Sequence, residues 1–337
     1  MIVLGGLGPA AAAPLTPGNL LVSTGSFTAP ASNTVFEYTS TGSQIQGFSV
    51  PYPGGRPNTE NVQDVVVDQD GRVQIYNGTF APFLTTLTPT AGGPGAGTFT
   101  NNTFAGLSTT GSGGGIGVLG NFAYLADAQT GSPGGPEGIV RFDLTTFSAT
   151  RFASDNSSTG YGKLTIGADG LLYALPNSTP TNIIDVYDPV SMSEVRRITL
   201  SDAMWLGTDI GGIAVDALGL IYATASDGNI YQLSQTGSVL NMRATGASNL
   251  RDIDLDNDGR LVAAAAFYDR VNAQSYEGVI LTTTSLESQT SFSISQNSLV
   301  PHVAFTTPLM VIPEPSTGLL LASGLLSLVA AMGRRTS

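Results

Sequence analysis

Three aspartates at alternate positions, Asp254, Asp256 and Asp258, are followed by Gly259, and this spacing opens a calcium-binding loop. Such a loop also needs a bidentate Glu at its twelfth position, where this sequence has Ala265. The same segment, IDLDNDGRLVAA, also matches a strand, a turn and a second strand. We therefore interpret the aspartates as strand and turn residues and expect no cofactor, with calcium as the alternative.

A second set of polar residues has the composition of a divalent-metal site. Glu60, Asn61 and Asp64 come at the start of one strand-forming run, and Asn249 and Asp252 come at the start of another with the same Asn-x-x-Asp spacing. Carboxylate and amide oxygens suit hard divalent cations. Glu60, Asn61, Asn249 and Asp252 are therefore candidate ligands of a divalent metal ion.

Other residues argue against catalysis. Two further strand-forming runs offer no carboxylate at the position of Asp64 and Asp252. One run has Lys163 there and the other has the glycines around Gly114, so the ligand set is incomplete. His302 is the only histidine, which excludes acid–base catalysis by a histidine pair. Cysteine and the G-x-S-x-G motif are both absent, which excludes the nucleophiles that they supply. We expect polar side chains lining a water-filled channel.

These candidates lie in a strand–turn–strand unit that repeats along the chain. VVVDQDGRVQIYNG is the clearest copy, with an Asp that can open a type I turn and a Gly that accepts positive φ at its end. The turn glycines are spaced by 49, 50, 49 and 40 residues, at Gly71, Gly120, Gly170, Gly219 and Gly259. Strand repeats of 40 to 50 residues are typical of propeller blades.

The spacing predicts an all-β fold, a six-bladed β-propeller over residues 15–308. Six blades of roughly 48 residues fill this range, whereas seven would need about 41 residues each, which three of the four spacings contradict. Leu20 to Ser23 lacks a partner strand near the N-terminus, and Val303 to Thr306 lacks one near the C-terminus. We expect these strands to pair and close one blade, which leaves no open sheet edge.

The turn sequence resembles that of six-bladed propeller families, among them the NHL-type and gluconolactonase-like proteins. Asp68 to Gly71 and Asp216 to Tyr222 carry the likeness. Some hydrolases of this kind hold a divalent metal in the central channel. The resemblance therefore implies that Glu60, Asn61, Asn249 and Asp252 would hold such a metal in the channel of this protein. The likeness lies in a structural turn, so it implies the fold and not the activity.

The end of the chain has a different composition. Pro313, Glu314, Pro315 and Ser316 precede sixteen uncharged residues, 317–332, and Arg334 and Arg335 follow. The prolines and Ser316 favour a helix start after Pro315. Sixteen helical residues span roughly 24 Å, less than the ~30 Å of a bilayer core, so flanking residues must assist a single C-terminal transmembrane helix. The two arginines would hold its end on the cytoplasmic side.

This order of parts resembles the PEP-CTERM sorting tail of Gram-negative bacteria, here residues 309–337. Pro313, Glu314, Pro315, Arg334 and Arg335 match its motif and its arginine cluster. The resemblance implies export by the Sec machinery, a transient stay in the inner membrane and processing near the motif by an exosortase. It also implies a final location at the cell surface or in the extracellular matrix, since proteins with such tails are associated with exopolysaccharide and biofilm.

Composition fits an exported acidic body. The formal net charge is −12 and the chain has one lysine and no cysteine, so nucleic acid is a poor partner. Met1 to Ala13 is apolar and ends in small residues but contains no basic residue. We interpret residues 1–14 as the remnant of a signal peptide that begins upstream.

Two functions follow from these features. The first is a non-catalytic, exported propeller that binds or packs within extracellular polysaccharide, and it is no enzyme. The alternative is a propeller hydrolase or lyase, lactonase-like, that uses a metal in its channel.

Overall fold

A computed structural model of the chain shows an all-β architecture of 24 strands in its described part. The description covers twelve stretches: 14–24, 34–51, 62–77, 83–91, 94–102, 111–129, 138–152, 160–177, 182–200, 208–269, 274–294 and 301–311. The strands form six antiparallel sheets of four strands each. The predicted six-bladed propeller is therefore confirmed.

Three blades come from the first half of the chain. Blade 1 contains β1 (Leu20–Thr24), β2 (Thr34–Tyr38), β3 (Gln44–Ser49) and the last strand, β24 (His302–Phe305). Blade 2 contains β4 (Val62–Val67), β5 (Val73–Asn77), β6 (Phe83–Pro89) and β7 (Gly97–Asn102). Blade 3 contains β8 (Gly111–Leu119), β9 (Phe122–Gln129), β10 (Gly138–Asp143) and β11 (Ala149–Phe152).

The other three blades follow in order. Blade 4 contains β12 (Tyr161–Ile166), β13 (Leu172–Pro176), β14 (Ile183–Asp188) and β15 (Ser193–Thr199). Blade 5 contains β16 (Ile210–Val215), β17 (Ile221–Ala225), β18 (Asn229–Leu233) and β19 (Val239–Ala244). Blade 6 contains β20 (Asn249–Leu255), β21 (Arg260–Asp269), β22 (Gln274–Thr283) and β23 (Gln289–Ser293).

Buried apolar side chains fill each interface between neighbouring blades. One cluster, for example, joins Ile184 and Val186 of blade 4 to Ile213 and Ile221 of blade 5. Five further clusters occupy the other interfaces, including the one between blades 6 and 1. The innermost strands β24, β4, β8, β12, β16 and β20 contact one another in turn, so the ring is closed around a central axis.

The two chain ends close blade 1, as predicted. Leu20 pairs with Phe305, and the ladder continues to Ser23 opposite His302. The pairing strand begins one residue earlier than predicted, at His302, and ends before Thr306. Thr306 lies just beyond the strand, where its hydroxyl donates to the carbonyl of Thr16, at 2.6 Å, and the chain turns away from the sheet.

The repeated turns have the geometry that the sequence predicts. In the first copy, Asp68 Oδ1 accepts hydrogen bonds from the N–H groups of Asp70 and Arg72, at 2.9 and 3.0 Å. Gly71 closes the turn with φ of 75°, a value that other residues adopt only with strain. All five predicted turn glycines have positive φ.

We call the side of the ring that carries these turns the turn face. The turns from the third to the fourth strand of each blade lie there too, because the side chain of Gln235 in one such turn donates to Leu218 O in the first turn of the same blade. The inner strands begin on the opposite side, which we call the entry face. The two faces therefore differ in which connections they present.

The last described residues, 306–311, cross the turn face as a strap. Leu309 packs against the core between blades 5 and 6, and Val311 packs against the core between blades 3 and 4. Asn257 fixes the strap, because its side chain donates to Pro308 O at 3.0 Å and accepts from Met310 N at 2.6 Å. The strap therefore spans the end of the central channel.

The two predicted terminal segments lie almost wholly outside the described residues. This applies to 1–13 and to 312–337, which include the Pro-Glu-Pro motif, the predicted transmembrane helix and the arginines. Within the part of the chain that is described, no helix has the length and apolar character needed to cross a bilayer.

Candidate functional site

Five of the six innermost strands carry a β-bulge at the same level of the ring. The pairing register shifts there in β4, β8, β12, β16 and β20. A bulge re-aims the side chain that follows it. The residues directly after the bulges all line the axial cavity, and they are Asp64, Ile116, Lys163, Gly212 and Asp252.

The cavity at the axis is small. Its volume is about 60 Å³, enough for a few water molecules. Pro308, Leu309 and Val311 of the strap line its end at the turn face. The charged side chains that share the cavity therefore meet in a confined space with little water.

The only lysine and the only histidine of the chain meet at this site. Lys163 Nζ lies 3.1 Å from His302 Nδ1, although the two residues are 139 positions apart. An ammonium group can only donate, so His302 Nδ1 accepts and its proton is on Nε2. Nε2 is buried and has no hydrogen-bond partner among the described residues.

Two buried carboxylates complete the group, which we call the axial cluster: Asp64, Lys163, Asp252 and His302. Asp252 Oδ2 lies 3.4 Å and Asp64 Oδ1 lies 3.9 Å from His302 Nδ1. Both aspartates are at most 7% exposed and His302 is 3% exposed. Blades 1, 2, 4 and 6 each contribute one member, so the cluster links blades around the ring.

Backbone groups of neighbouring inner strands hold the carboxylates in place. Asp64 Oδ2 accepts from Ile116 N of blade 3 at 2.9 Å, and its Oδ1 accepts from Val65 N. Asp252 Oδ2 accepts from Val303 N of blade 1 at 3.0 Å. Each aspartate therefore satisfies an N–H group at the inner edge of the adjacent blade, a structural role that is independent of any ligand.

The environment sets the protonation states. Burial lowers the pKa of His302 to about 4, and the charge of Lys163 acts in the same direction, so the imidazole is neutral at pH 7. Burial and the charge of Asp252 raise the pKa of Asp64 well above its usual range. Burial opposes ionisation of Asp252 too, but the charge of Lys163 favours it and the pKa of Asp252 is lowered. Asp252 is therefore the anion that faces Lys163.

The cluster has some features of a metal site. One ligand atom each from Asp64, Asp252 and His302 lies within 4.8 Å of the other two. Tetrahedral zinc with ligands at 2.0–2.1 Å would require those atoms to be roughly 3.4 Å apart. The ammonium of Lys163 already contacts the imidazole nitrogen that would bind the ion. In this arrangement the protein's own cation occupies the place that a metal would take.

The structure tests the position of only some predicted ligands. Asp252 belongs to the axial cluster, whereas Asn249 lies at the entry-face end of β20, half-buried and paired with Ala266. Glu60 and Asn61 lie outside the described residues. The predicted equivalence of Asp64, Lys163 and Asp252 is seen in the structure, since each follows a bulge at the same level.

The aspartates of the calcium-like motif have separate partners. Asp256 Oδ2 accepts from Arg260 Nε at 2.6 Å, and its Oδ1 holds the turn. Asp254 Oδ2 accepts from Phe305 N at 2.8 Å on the inner strand of blade 1. The motif therefore forms part of a strand and a turn, as interpreted from the sequence, and Asp254 in addition links blade 6 to the inner strand of blade 1.

The contact between His302 and Lys163 does not follow from the motifs in the sequence, where His302 is a lone imidazole and Lys163 interrupts a set of possible metal ligands. A usable signal existed, because each is the only residue of its type and both come at the start of predicted inner strands.

Stability should depend on pH through the buried carboxyl groups. Burial raises the pKa of Asp254 and of Glu277 to about 7, above the values of roughly 4 expected in the unfolded chain. The folded state then binds more protons than the unfolded state between about pH 4 and 7, so stability falls as pH rises. The lowered pKa of His302 makes stability rise with pH below about pH 6.5, but the opposite effect of the two carboxyl groups is larger. We expect the melting temperature to fall by about 5 °C from pH 5 to pH 8.

Matched variants test this pH dependence. Glu277→Gln removes one raised group and should flatten the slope of melting temperature against pH, whereas Glu287→Gln, at an exposed position, should leave it unchanged. A melting temperature that rises steadily from pH 5 to pH 8 in the parent would contradict the assignment.

Comparisons with known proteins identify the fold and no more. No family model matches the sequence, and no curated protein matches it. The chain is similar to the crystal structure of a protein of unknown function from Bacteroides caccae, with a TM-score of 0.54 and 11% identity over 86% of this chain and 99% of that one. It is also similar to the Dos1 propeller, with a TM-score of 0.49 and 15% identity over 83% of this chain and 68% of that one.

Proposed function

We propose that this chain is an exported propeller that an exosortase processes at its C-terminal tail, and that its body binds or packs within extracellular polysaccharide without catalysis. The sequence of the tail carries the proposal. Pro313, Glu314 and Pro315, the uncharged stretch 317–332 and the two arginines follow one another in the order of a sorting signal. Sec-dependent export and a transient inner-membrane intermediate are part of this proposal, as is a final place at the cell surface.

The position of the strap supports this proposal. All 24 described strands end before Thr306, and the strap packs its last contacts at Leu309 and Val311. Processing near Pro315 would therefore leave every described strand and every described contact of the strap in place. A tail that can be removed without damage to the fold is what a sorting signal requires.

The axial cluster favours a non-catalytic body. Asp64 and Asp252 accept hydrogen bonds from backbone N–H groups of neighbouring blades, and His302 Nδ1 accepts from Lys163. A general base or a nucleophile must reach the substrate with a free lone pair. Here both carboxylate oxygens of Asp64, Oδ2 of Asp252 and Nδ1 of His302 each accept a hydrogen bond from one of the protein's own donors.

One observation favours the alternative, a hydrolase or lyase with a metal in its channel. The atoms of Asp64, Asp252 and His302 converge closely enough for an ion to bind if Lys163 moves away. Those side chains would then hold the ion, and the ion would supply Lewis-acid chemistry at the axis. Of the ligands that the sequence suggests for this alternative, Asp252 belongs to this group, Asn249 lies at the entry-face end of β20, and Glu60 and Asn61 lie outside the described residues.

Metal analysis and an activity screen separate the two functions. We expect purified protein to contain well below one equivalent of divalent metal, to show no lactonase or polysaccharide-lyase turnover, and to be retained on matrix polysaccharide. One equivalent of metal together with turnover would make the enzyme the better account. If Asp252→Asn then lost the bound metal and the turnover, and the exposed control Asp258→Asn kept them, the metal would lie at the axis.

A further inference from the structure

Large apolar side chains are exposed at the tips of the turn face. Phe147 of blade 3 is 54% exposed, Val190 of blade 4 is 76%, Leu218 of blade 5 is 77% and Met310 of the strap is 67%. Together they follow the rim of the turn face from blade 3 to the strap beside blade 6. We call these four residues the apolar rim.

The turns present these side chains outward. Asp188 Oδ1 accepts from the N–H of Val190 at 2.8 Å, and Asp216 Oδ1 accepts from the N–H of Leu218 at 2.9 Å. Each carboxylate thus holds a turn whose tip is apolar. The carboxylates of Asp188 and Asp216 are therefore engaged with the backbone, and the apolar side chains of Val190 and Leu218 are exposed at the turn tips.

The backbone at Phe147 has an unusual conformation for an exposed aromatic residue. Its φ is 59°, in the left-handed region that favours glycine. Gly42 and Gly237 occupy the same place in the corresponding turns of blades 1 and 5. Leu286 has a similar φ, but it is buried, so packing accounts for it. Phe147 contacts Phe142, yet half of it faces solvent.

The chain leaves the propeller beside this rim. Val311 is the last described residue, and it packs next to Gly170 in the first turn of blade 4. Only five residues, 312–316, separate Val311 from Thr317, where the uncharged stretch 317–332 begins. The six Cα-to-Cα steps from Val311 to Thr317 extend over about 20 Å at most, and the two prolines in this linker restrict it further. An apolar segment anchored in a bilayer would therefore hold the turn face within about 20 Å of the lipid.

We propose that the turn face docks on the lipid surface through the apolar rim while the tail is still attached. This inference rests on the proposed function, because the tail must place the protein at a membrane. Phe147, Val190, Leu218 and Met310 would then lie at the level of the headgroups, with the entry face directed away from the membrane. Interfacial binding of this kind buries apolar side chains at the boundary of the acyl chains.

The charge of the molecule defines the kind of lipid. The body is acidic, with a formal net charge of −12 for the whole chain, so an anionic surface repels it. A zwitterionic surface offers the apolar contact without this repulsion. We therefore expect docking to be stronger on phosphatidylcholine vesicles than on vesicles rich in phosphatidylglycerol.

The absence of cysteine allows a direct test on the full chain in reconstituted vesicles. A fluorophore is attached to a single introduced thiol in Val190→Cys or Leu218→Cys, and lipids with a spin label at the headgroup act as quenchers. The matched controls are Val195→Cys and Leu240→Cys, which are 50% and 55% exposed on the outer strands β15 and β19. We expect quenching at the rim to exceed quenching at the controls by at least about twofold.

Each outcome has a distinct meaning. Equal quenching at rim and control positions, in protein that sediments with vesicles, overturns the docking proposal and leaves the tail anchor intact. Failure of the full chain to sediment with vesicles overturns both. A rim label that is shielded without lipid, together with a concentration-dependent dimer, shows that a second copy covers the rim and also overturns lipid docking. Thermal melting of each labelled protein checks that the fold is retained.

Discussion

Replacement of Lys163 by Met is expected to lower the free energy of unfolding by about 3–5 kcal/mol. The ammonium group faces Asp252, which is buried and ionised, and it donates to His302 Nδ1 at 3.1 Å. Methionine fills a similar volume but leaves the buried anion without its counter-charge. Denaturant unfolding at pH 7 measures the loss. A control without a buried counter-charge is Arg243→Met on the outer strand β19, where the half-buried arginine donates to Gln289 and to the carbonyl of Glu287. It should cost no more than about 1–2 kcal/mol.

A double variant identifies the cause of this loss. Lys163→Met combined with Asp252→Asn removes both charges, so it should be less destabilised than the sum of the two single variants. Zinc should raise the melting temperature of Lys163→Met, because Asp64, Asp252 and His302 then surround an empty position. If zinc stabilises the parent as strongly as the variant, Lys163 does not occupy the place of the cation.

Replacement of Glu314, or of both Pro313 and Pro315, is expected to leave the full-length chain in the inner membrane. The uncharged stretch 317–332 would remain as an anchor, and the processing enzyme would lose the extended, charged segment that it recognises. Cell fractionation with an antibody to the propeller body measures this as a shift from almost wholly released to almost wholly membrane-bound protein. Release of Glu314→Gln at the parental level would contradict a role in recognition.

The two arginines provide the matched comparison. Arg334→Ser with Arg335→Ser leaves the Pro-Glu-Pro motif intact but removes the charges that hold the cytoplasmic end. We expect weaker membrane retention and mixed orientation in place of a uniform arrest. The same phenotype in both sets of variants would mean that the motif acts only as part of the anchor.

The fold could be predicted from the sequence because its information is local. Each copy of the turn needs an Asp that accepts two backbone N–H groups and a Gly at positive φ, and both leave a visible pattern with a regular period. Closure of blade 1 was predictable as well, since β1 and β24 are strands that would otherwise lack a partner. The end of β24 at Phe305 was not predicted, because Thr306 is engaged in a tertiary hydrogen bond to Thr16 that no local pattern reveals.

The axial cluster was harder to predict because it depends on how four blades meet. The bulges on the inner strands select the residues that face the axis, and a bulge has no strong sequence signal when residues as different as Gln63, Gly162 and Arg251 occupy it. The strap across the turn face was also missed. Its apolar residues, Leu309 and Val311, merge in the sequence with the start of the tail.

The central claim is that the tail is a sorting signal attached to a closed propeller. C-terminal mass spectrometry of protein recovered from the extracellular matrix tests it most directly. We predict a mature protein that retains the strap and ends near Pro315, without the stretch 317–332 and the two arginines. An intact Ser337 on the released protein would contradict this claim, because the tail would then be a permanent part of the molecule.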